Sequence, residues 1–164
     1  MNETPPSTFE KSGQIKFASF GRRVAASIID ELVFVPALLV LFYSFGGAGS
    51  SSASALLFSS LITSVANLGY QIFFIYRYGQ TLGNKATKTM VLNPQGEIPD
   101  LVSAIKRILV LVAGQLLNAL GASSFTVALS ITDSLSMLVN RDRQTIHDRI
   151  ARTYVVVLEN RPSL

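Results

Sequence analysis

The sequence predicts an all-α membrane protein, a four-segment helical bundle carrying a small cytoplasmic cap made of a β-hairpin and a strand. Composition is the first reason. The 164 residues are 49% hydrophobic and 15% charged, with a mean hydropathy of +0.41, whereas a soluble domain carries about 25% charge. The second reason is the recurrence of apolar segments, at 22–45, 54–77, 101–120 and 124–140. A helix rising about 1.5 Å per residue needs about 20 such residues to cross a hydrocarbon core of about 30 Å. The third reason is charge placement, which is taken up below.

The N-terminal stretch 1–19, beginning Met-Asn-Glu-Thr-Pro-Pro-Ser-Thr, is polar and acidic at its start and lacks the basic start and short apolar run of a secretory signal. It reads as a disordered cytoplasmic tail. The membrane domain then runs over 20–158, followed by a short C-terminal tail, 159–164. Segments one and two are joined by Gly46-Gly-Ala-Gly-Ser-Ser-Ser, a flexible turn that permits an antiparallel pair. Segments three and four are shorter. Two full crossings require Asp100 as a helix start and Lys106 and Arg107 reaching back to the headgroups; a re-entrant hairpin turning at Gly121-Ala-Ser-Ser is the alternative. In the cytoplasmic parts, Thr89-Met-Val-Leu is strand-like and Asn93-Pro-Gln-Gly96 fits a type I turn. Thr153-Tyr-Val-Val-Val-Leu158 is strongly strand-forming and can pair with that hairpin. Thr145 stands three residues before Asp148, the spacing of a capping box for a short helix, and Thr81 can cap another.

The 14 Lys and Arg residues lie in three zones only: Lys11 to Arg23, Arg77 to Arg107, and Arg141 to Arg161. The two Gly/Ser turns carry none. Under the positive-inside rule all three zones are cytoplasmic, so both termini face the cytoplasm and the crossings are even in number, or two plus a re-entrant pair. The pI of about 9.6 is therefore an orientation signal. A nucleic-acid surface would gather cations and aromatics on one soluble face, and no such face is evident. The chain has no Cys, which excludes disulfides, thiolate metal sites and a cysteine nucleophile. No phosphate loop, hydrolase elbow or zinc helix occurs, so no enzyme is expected and no cofactor. His147 stands alone, without a second His or Cys to complete a metal site.

Buried charge is the strongest functional signal. Asp30 lies inside the first apolar segment, where an ionised carboxylate costs about 2.5–3.5 kcal/mol on insertion scales, so it needs a partner or a task. Arg23, seven residues earlier and on the same helix face, is the expected partner. Counted inward from the cytoplasmic cation of each segment, Asp30 is seven residues from Arg23, Gln71 six from Arg77, Gln115 eight from Arg107 and Asp133 eight from Arg141. These polar groups share a depth of roughly 9–12 Å. Together with Glu31 they make an intramembrane node whose carboxylates and amide oxygens suit a hard cation or a shared proton. The competing reading makes Gln71, Gln115, Asn67 and Asn118 interhelical hydrogen-bonding groups and Asp30 a structural pairing. Asp148 is expected to cap a helix or pair with Arg107 or Arg149. Tyr70, Tyr76 and Tyr78 read as an interfacial belt.

Several of these motifs occur together in one known pattern. Arg23-Val-Ala-Ala-Ser-Ile-Ile-Asp30, Gly79-Gln-Thr-Leu-Gly83 with Val91 and Gly96, then Arg107, then Arg143-Gln-Thr-Ile-His-Asp148 with Thr153 and Val155 resemble the RDD family of small prokaryotic membrane proteins, named for one arginine and two aspartates. The resemblance runs from Phe20 to Val157 and makes Arg23, Asp30 and Asp148 the signature residues. Two positions depart from it: Asn84 stands where Lys is usual, and Arg152 where Gly is usual. The resemblance implies a multi-span protein, with cation/proton antiport proposed for some members.

Two functions follow as expectations. One is a monovalent cation/proton antiporter or ion-permeating subunit of the inner membrane, with Na+, Li+ or K+ as the transported ion. The other is a non-transporting accessory or assembly subunit. In both, the surroundings are the lipid bilayer and either a homo-oligomer or a membrane-protein partner, with no nucleic acid.

Overall fold

The structure is a computed structural model that describes residues 16–44 and 53–158. The Gly46–Ser52 turn, the tail up to residue 15 and the tail from 159 lie outside the described residues. The chain is mostly helical with a two-stranded antiparallel sheet. In order come α1 (Phe20–Ser44), α2 (Ala53–Tyr78), α3 (Leu82–Ala86), β1 (Thr89–Leu92), α4 (Leu101–Arg107), α5 (Leu109–Ala119), α6 (Ser123–Ser136), α7 (Ile146–Ala151) and β2 (Tyr154–Val157). Helix α1 continues through Pro36 for 25 residues and α2 runs for 26. Helices α4 and α5 follow one another with a break at Ile108, and Asp100 caps the first of them, its side chain accepting from the N–H of Ser103. Among the described residues, Leu101–Asn118 is the stretch with the length and apolarity to cross a membrane.

Most buried side chains sit at one end of the molecule, around the sheet. Strand β1 pairs with β2 in the register Thr89↔Val157 to Leu92↔Tyr154, so alternate residues serve opposite faces. Val91, Val155 and Val157 join Ala18, Ile75 and Ala104 on one side, while Met90, Leu92 and Val156 gather Phe17, Tyr154 and Leu158 on the other. The Asn93–Gly96 turn forms, the N–H of Gly96 reaching the carbonyl of Asn93 at 3.0 Å. It does not lead into a second hairpin strand, however. The partner of β1 comes from the far end of the chain, because Val-rich β2 offers a longer apolar face than Glu97-Ile-Pro. The folded unit also begins before Phe20. Phe17 bridges to Val156, and the N–H of Ala18 donates to the carbonyl of Val155 at 2.8 Å, so residues 16–18 edge the sheet instead of belonging to a tail.

Away from this end the helices present apolar side chains outward: Leu32, Val40, Leu61, Val65, Leu116 and Phe125 are each at least 60% exposed. Water would penalise such surfaces at about 25 cal/mol per Å², and lipid would not. Helices α5 and α6 pack as a hairpin, turned at Gly121 (φ +78°) and tied by the Thr126 hydroxyl donating to the carbonyl of Gly114 at 2.8 Å. Helix α6 has only 14 residues, about 21 Å at the α-helical rise.

Candidate functional site

Two charge systems meet at the inner ends of the helices. The first centres on Asp148, which is fully buried. Thr145 begins α7 as its N-cap and forms a reciprocal capping box with Asp148: the Thr145 hydroxyl accepts from the Asp148 N–H at 3.3 Å, and the carboxylate accepts from the Thr145 N–H at 3.1 Å. That box aims the carboxylate away from solvent, toward α1 and α4. There Arg23 donates to Oδ2 and Arg107 to Oδ1. Arg107 also reaches the Thr153 hydroxyl at 2.8 Å, and Arg23 the carbonyl of Arg143 at 2.7 Å. Burial alone would push the Asp148 carboxyl up, but the charges of Arg107, His147 and Arg23 outweigh it and hold the group well below the usual carboxylate range. Four elements, α1, α4, α7 and the start of β2, thus close on one negative charge.

The second system centres on Asp30. Its Oδ1 accepts from the Tyr70 hydroxyl and from the Gly83 N–H, each at 2.7 Å, and its Oδ2 accepts from the Thr81 hydroxyl at 2.6 Å. The Tyr70 oxygen also accepts from the Leu82 N–H at 2.8 Å, and Thr81 caps α3. The approach of α3 to α1 is possible only because residue 83 is glycine: a Cβ there would lie 2.0 Å from the Ala26 carbonyl oxygen and 2.8 Å from Asp30 Oδ2. Gly79 turns the chain out of α2 at φ +65°, and a side chain there would meet Val91 O and Met90. This is the local logic of Gly79-Gln-Thr-Leu-Gly83.

The pairing of Arg23 with Asp30 does not form. A shared helix face is not contact: seven residues place the two groups about 10 Å apart along the axis, whereas side chains meet at spacings of three and four. Arg23 instead reaches Asp148, 125 residues away. Asp148 takes Arg107 and Arg23, not Arg149. Tyr70, read as part of an interfacial belt, is a tie to Asp30.

Between the two systems lies a cavity of about 350 Å³. Asp30, Glu31, Gln71, Gln115 and Asp133 all line it, together with Arg23, Arg107, Thr145 and His147. Helix α1 contributes Phe20, Arg23, Val24, Ser27, Asp30 and Glu31, the three-and-four spacing of a single face. Ser130 and Ser134 of α6 also line it; they were not singled out in the sequence, although with Thr126 they fall at the same helical spacing. Asp133 is buried and bound to His147, its Oδ1 accepting from the backbone N–H at 2.9 Å and its Oδ2 lying 2.6 Å from Nδ1. Gln71 donates its amide N–H to Asn67 at 2.8 Å within α2. Among the described residues no cluster of three or more acidic, His or Cys side chains could hold a metal ion.

These motifs and their contacts match one family model, that of the RDD family, over residues 17–152. The chain belongs to the RDD family. This is a family of membrane proteins, in keeping with the apolar outer surfaces and the span-length stretch Leu101–Asn118. No curated protein and no solved structure matches the chain. Of the three signature residues, Arg23 and Asp148 meet directly, while Asp30 stands in the neighbouring network. The two departures from the family pattern are also placed. Asn84 lines the cavity and accepts from the Thr89 hydroxyl at 3.2 Å. Arg152 ends α7 in the left-handed region, φ 53° and ψ 50°, the conformation in which glycine is unstrained.

Proposed function

We propose that this RDD protein is a multi-pass protein of the cell inner membrane that exchanges a monovalent cation, Na+, Li+ or K+, for protons through its cavity. In this reading α1, α2, α4–α5 and α6 are the four membrane segments and both termini are cytoplasmic. The observation that carries the reading is the cavity itself: acids and amides from α1, α2, α5 and α6 converge on one space of about 350 Å³, with more polar groups than helix packing needs in a membrane. Carboxylate, amide and hydroxyl oxygens are the donors that hard cations take in exchange for water. The short α6 favours assembly as a homo-oligomer or with a membrane-protein partner, since about 21 Å does not match a core of about 30 Å.

A second reading, a non-transporting accessory or assembly subunit, draws on a different observation. Asp30 and Asp133 both have their oxygens engaged by donors of the chain, as structural ties would. Purified protein in liposomes separates the two. Exchange predicts that an imposed pH gradient collapses when Na+, Li+ or K+ is added. Folded, inserted protein that leaves the gradient intact with all three ions sinks the exchange reading and favours the accessory one.

A further inference from the structure

Three acids reach the cavity, and they are not equivalent. Asp30 is held by Tyr70, Thr81 and the Gly83 N–H. Asp133 is held by the ring and backbone of His147. Glu31 has no such ties: among the described residues it makes no hydrogen bond and no ion pair. It nevertheless lines the cavity, at the inner end of the α1 face formed by Phe20, Val24 and Ser27. A carboxylate at this level of a membrane helix without a protein partner requires a counter-charge.

The neutral oxygens around it have the complementary property. The Gln71 amide donates to Asn67, which leaves its carbonyl oxygen as the atom available to the cavity. Gln115, Ser130 and Ser134 line the same space, whereas the Thr126 hydroxyl is engaged by Gly114. One uncommitted negative charge with neutral oxygens balances one positive charge; a divalent site gathers several carboxylates, and no such cluster occurs among the described residues.

We propose that Glu31, and not Asp30 of the family signature, is the carboxylate that holds the exchanged monovalent cation, with the Gln71 and Gln115 amide oxygens and the Ser130 and Ser134 hydroxyls completing its shell. Asp30 then serves as the tie that fixes α3 against α1, beside the ion. This assignment rests on the exchange reading above.

The test is binding, read apart from transport. Full-length protein in detergent is melted at rising NaCl, with total salt held constant by N-methyl-D-glucamine chloride. Ligand bound to the folded state raises the melting midpoint by mass action, so Na+ should raise it saturably. Glu31→Gln should melt at the wild-type temperature without Na+, because Glu31 has no internal partner to lose. Its apparent Na+ affinity should be weaker by at least about tenfold. Glu31→Asp, which keeps the charge on a shorter arm, should bind detectably but more weakly than wild type, and it decides the matter should Glu31→Gln fail to fold. Wild-type Na+ affinity in Glu31→Gln, or in Glu31→Asp if only that variant folds, overturns the assignment. If those variants also exchange cations in liposomes, the exchange reading stands without it. A wild-type protein whose midpoint responds to none of Na+, Li+ and K+, and which collapses no pH gradient, removes both.

Discussion

Asp148 and Asp30 are both signature carboxylates enclosed by their own chain, but they are enclosed by different chemistry. Asp148 faces Arg23, Arg107 and the Thr145 N–H, groups that donate hydrogen bonds and cannot accept them. Asp30 faces two hydroxyls and one backbone N–H, and a hydroxyl can turn and accept. The first site demands a negative charge. The second demands an acceptor on one oxygen and tolerates a donor on the other. The clamp at Asp148 is therefore the rigid part of the molecule, and the α3 tie at Asp30 is the part whose charge can be altered without taking the fold apart.

Replacing each acid by its amide tests this difference most directly and carries the largest expected effect. In Asp148→Asn the new NH2 must point at a guanidinium or at the Thr145 N–H, and two arginines lose their neutralising charge. Breaking a buried ion pair from one side costs about 3–5 kcal/mol, a large share of the total stability of about 5–15 kcal/mol. The yield of folded protein and its melting midpoint should both collapse. In Asp30→Asn the remaining carbonyl oxygen keeps Tyr70 and Gly83, and the amide donates to the Thr81 hydroxyl, so the cost should stay within about 1 kcal/mol. Comparable losses in the two variants would erase the distinction. The pH dependence has the same origin. Because the folded state depresses the Asp148 carboxyl, its contribution is complete above the unfolded value of about 3.9 and falls away as pH drops below it. The melting midpoint should be level between about pH 5 and 7 and decline below about 4, and Asp30→Asn should keep that decline.

Next in size is Gly83→Ala, which probes the tie through its backbone. With the Ala26 oxygen 2.0 Å from the new Cβ, α3 must lift off α1, and the Gly83 N–H bond to Asp30 goes with it. A loss of about 1–3 kcal/mol is expected from overpacking, read as a lower melting midpoint. An unchanged midpoint would mean that the contact between α3 and α1 contributes little to stability.

The sequence made the local elements of both regions readable and left their partners hidden. The capping box of Thr145 and Asp148, the Thr81 cap, the Asn93–Gly96 turn and the strand character of 154–157 follow from short-range chemistry, and each stands in the structure. The residues of the proposed node were found by counting depth along segments, and they do line one cavity. Pairing across the chain was not legible in the same way. Arg23 and Asp148 are 125 residues apart, and no periodicity in either segment points to the other, so the nearest acid on the same face was the natural partner to assign. The role of Tyr70 was masked for a related reason: an aromatic near a helix end fits the membrane interface equally well, and only the fold brings Asp30 to its hydroxyl.

The smallest effect concerns the end of the clamp. Helix α7 must stop after Ala151 so that Thr153 can meet Arg107 and β2 can enter the sheet, and it stops at Arg152 in the left-handed region. For a residue with a Cβ that conformation costs roughly 1–2 kcal/mol. The Arg152 side chain is exposed, and removing it leaves the Asp148 network intact. Arg152→Gly should relieve the strain, while the greater freedom of glycine in the unfolded chain returns about 0.4–1 kcal/mol of the gain. The net result should be a small rise in the melting midpoint, with Na+ binding unchanged because the residue lies outside the cavity lining. A fall instead would show that the arginine stabilises the clamp through its side chain, and that the rigid region extends to the protein surface.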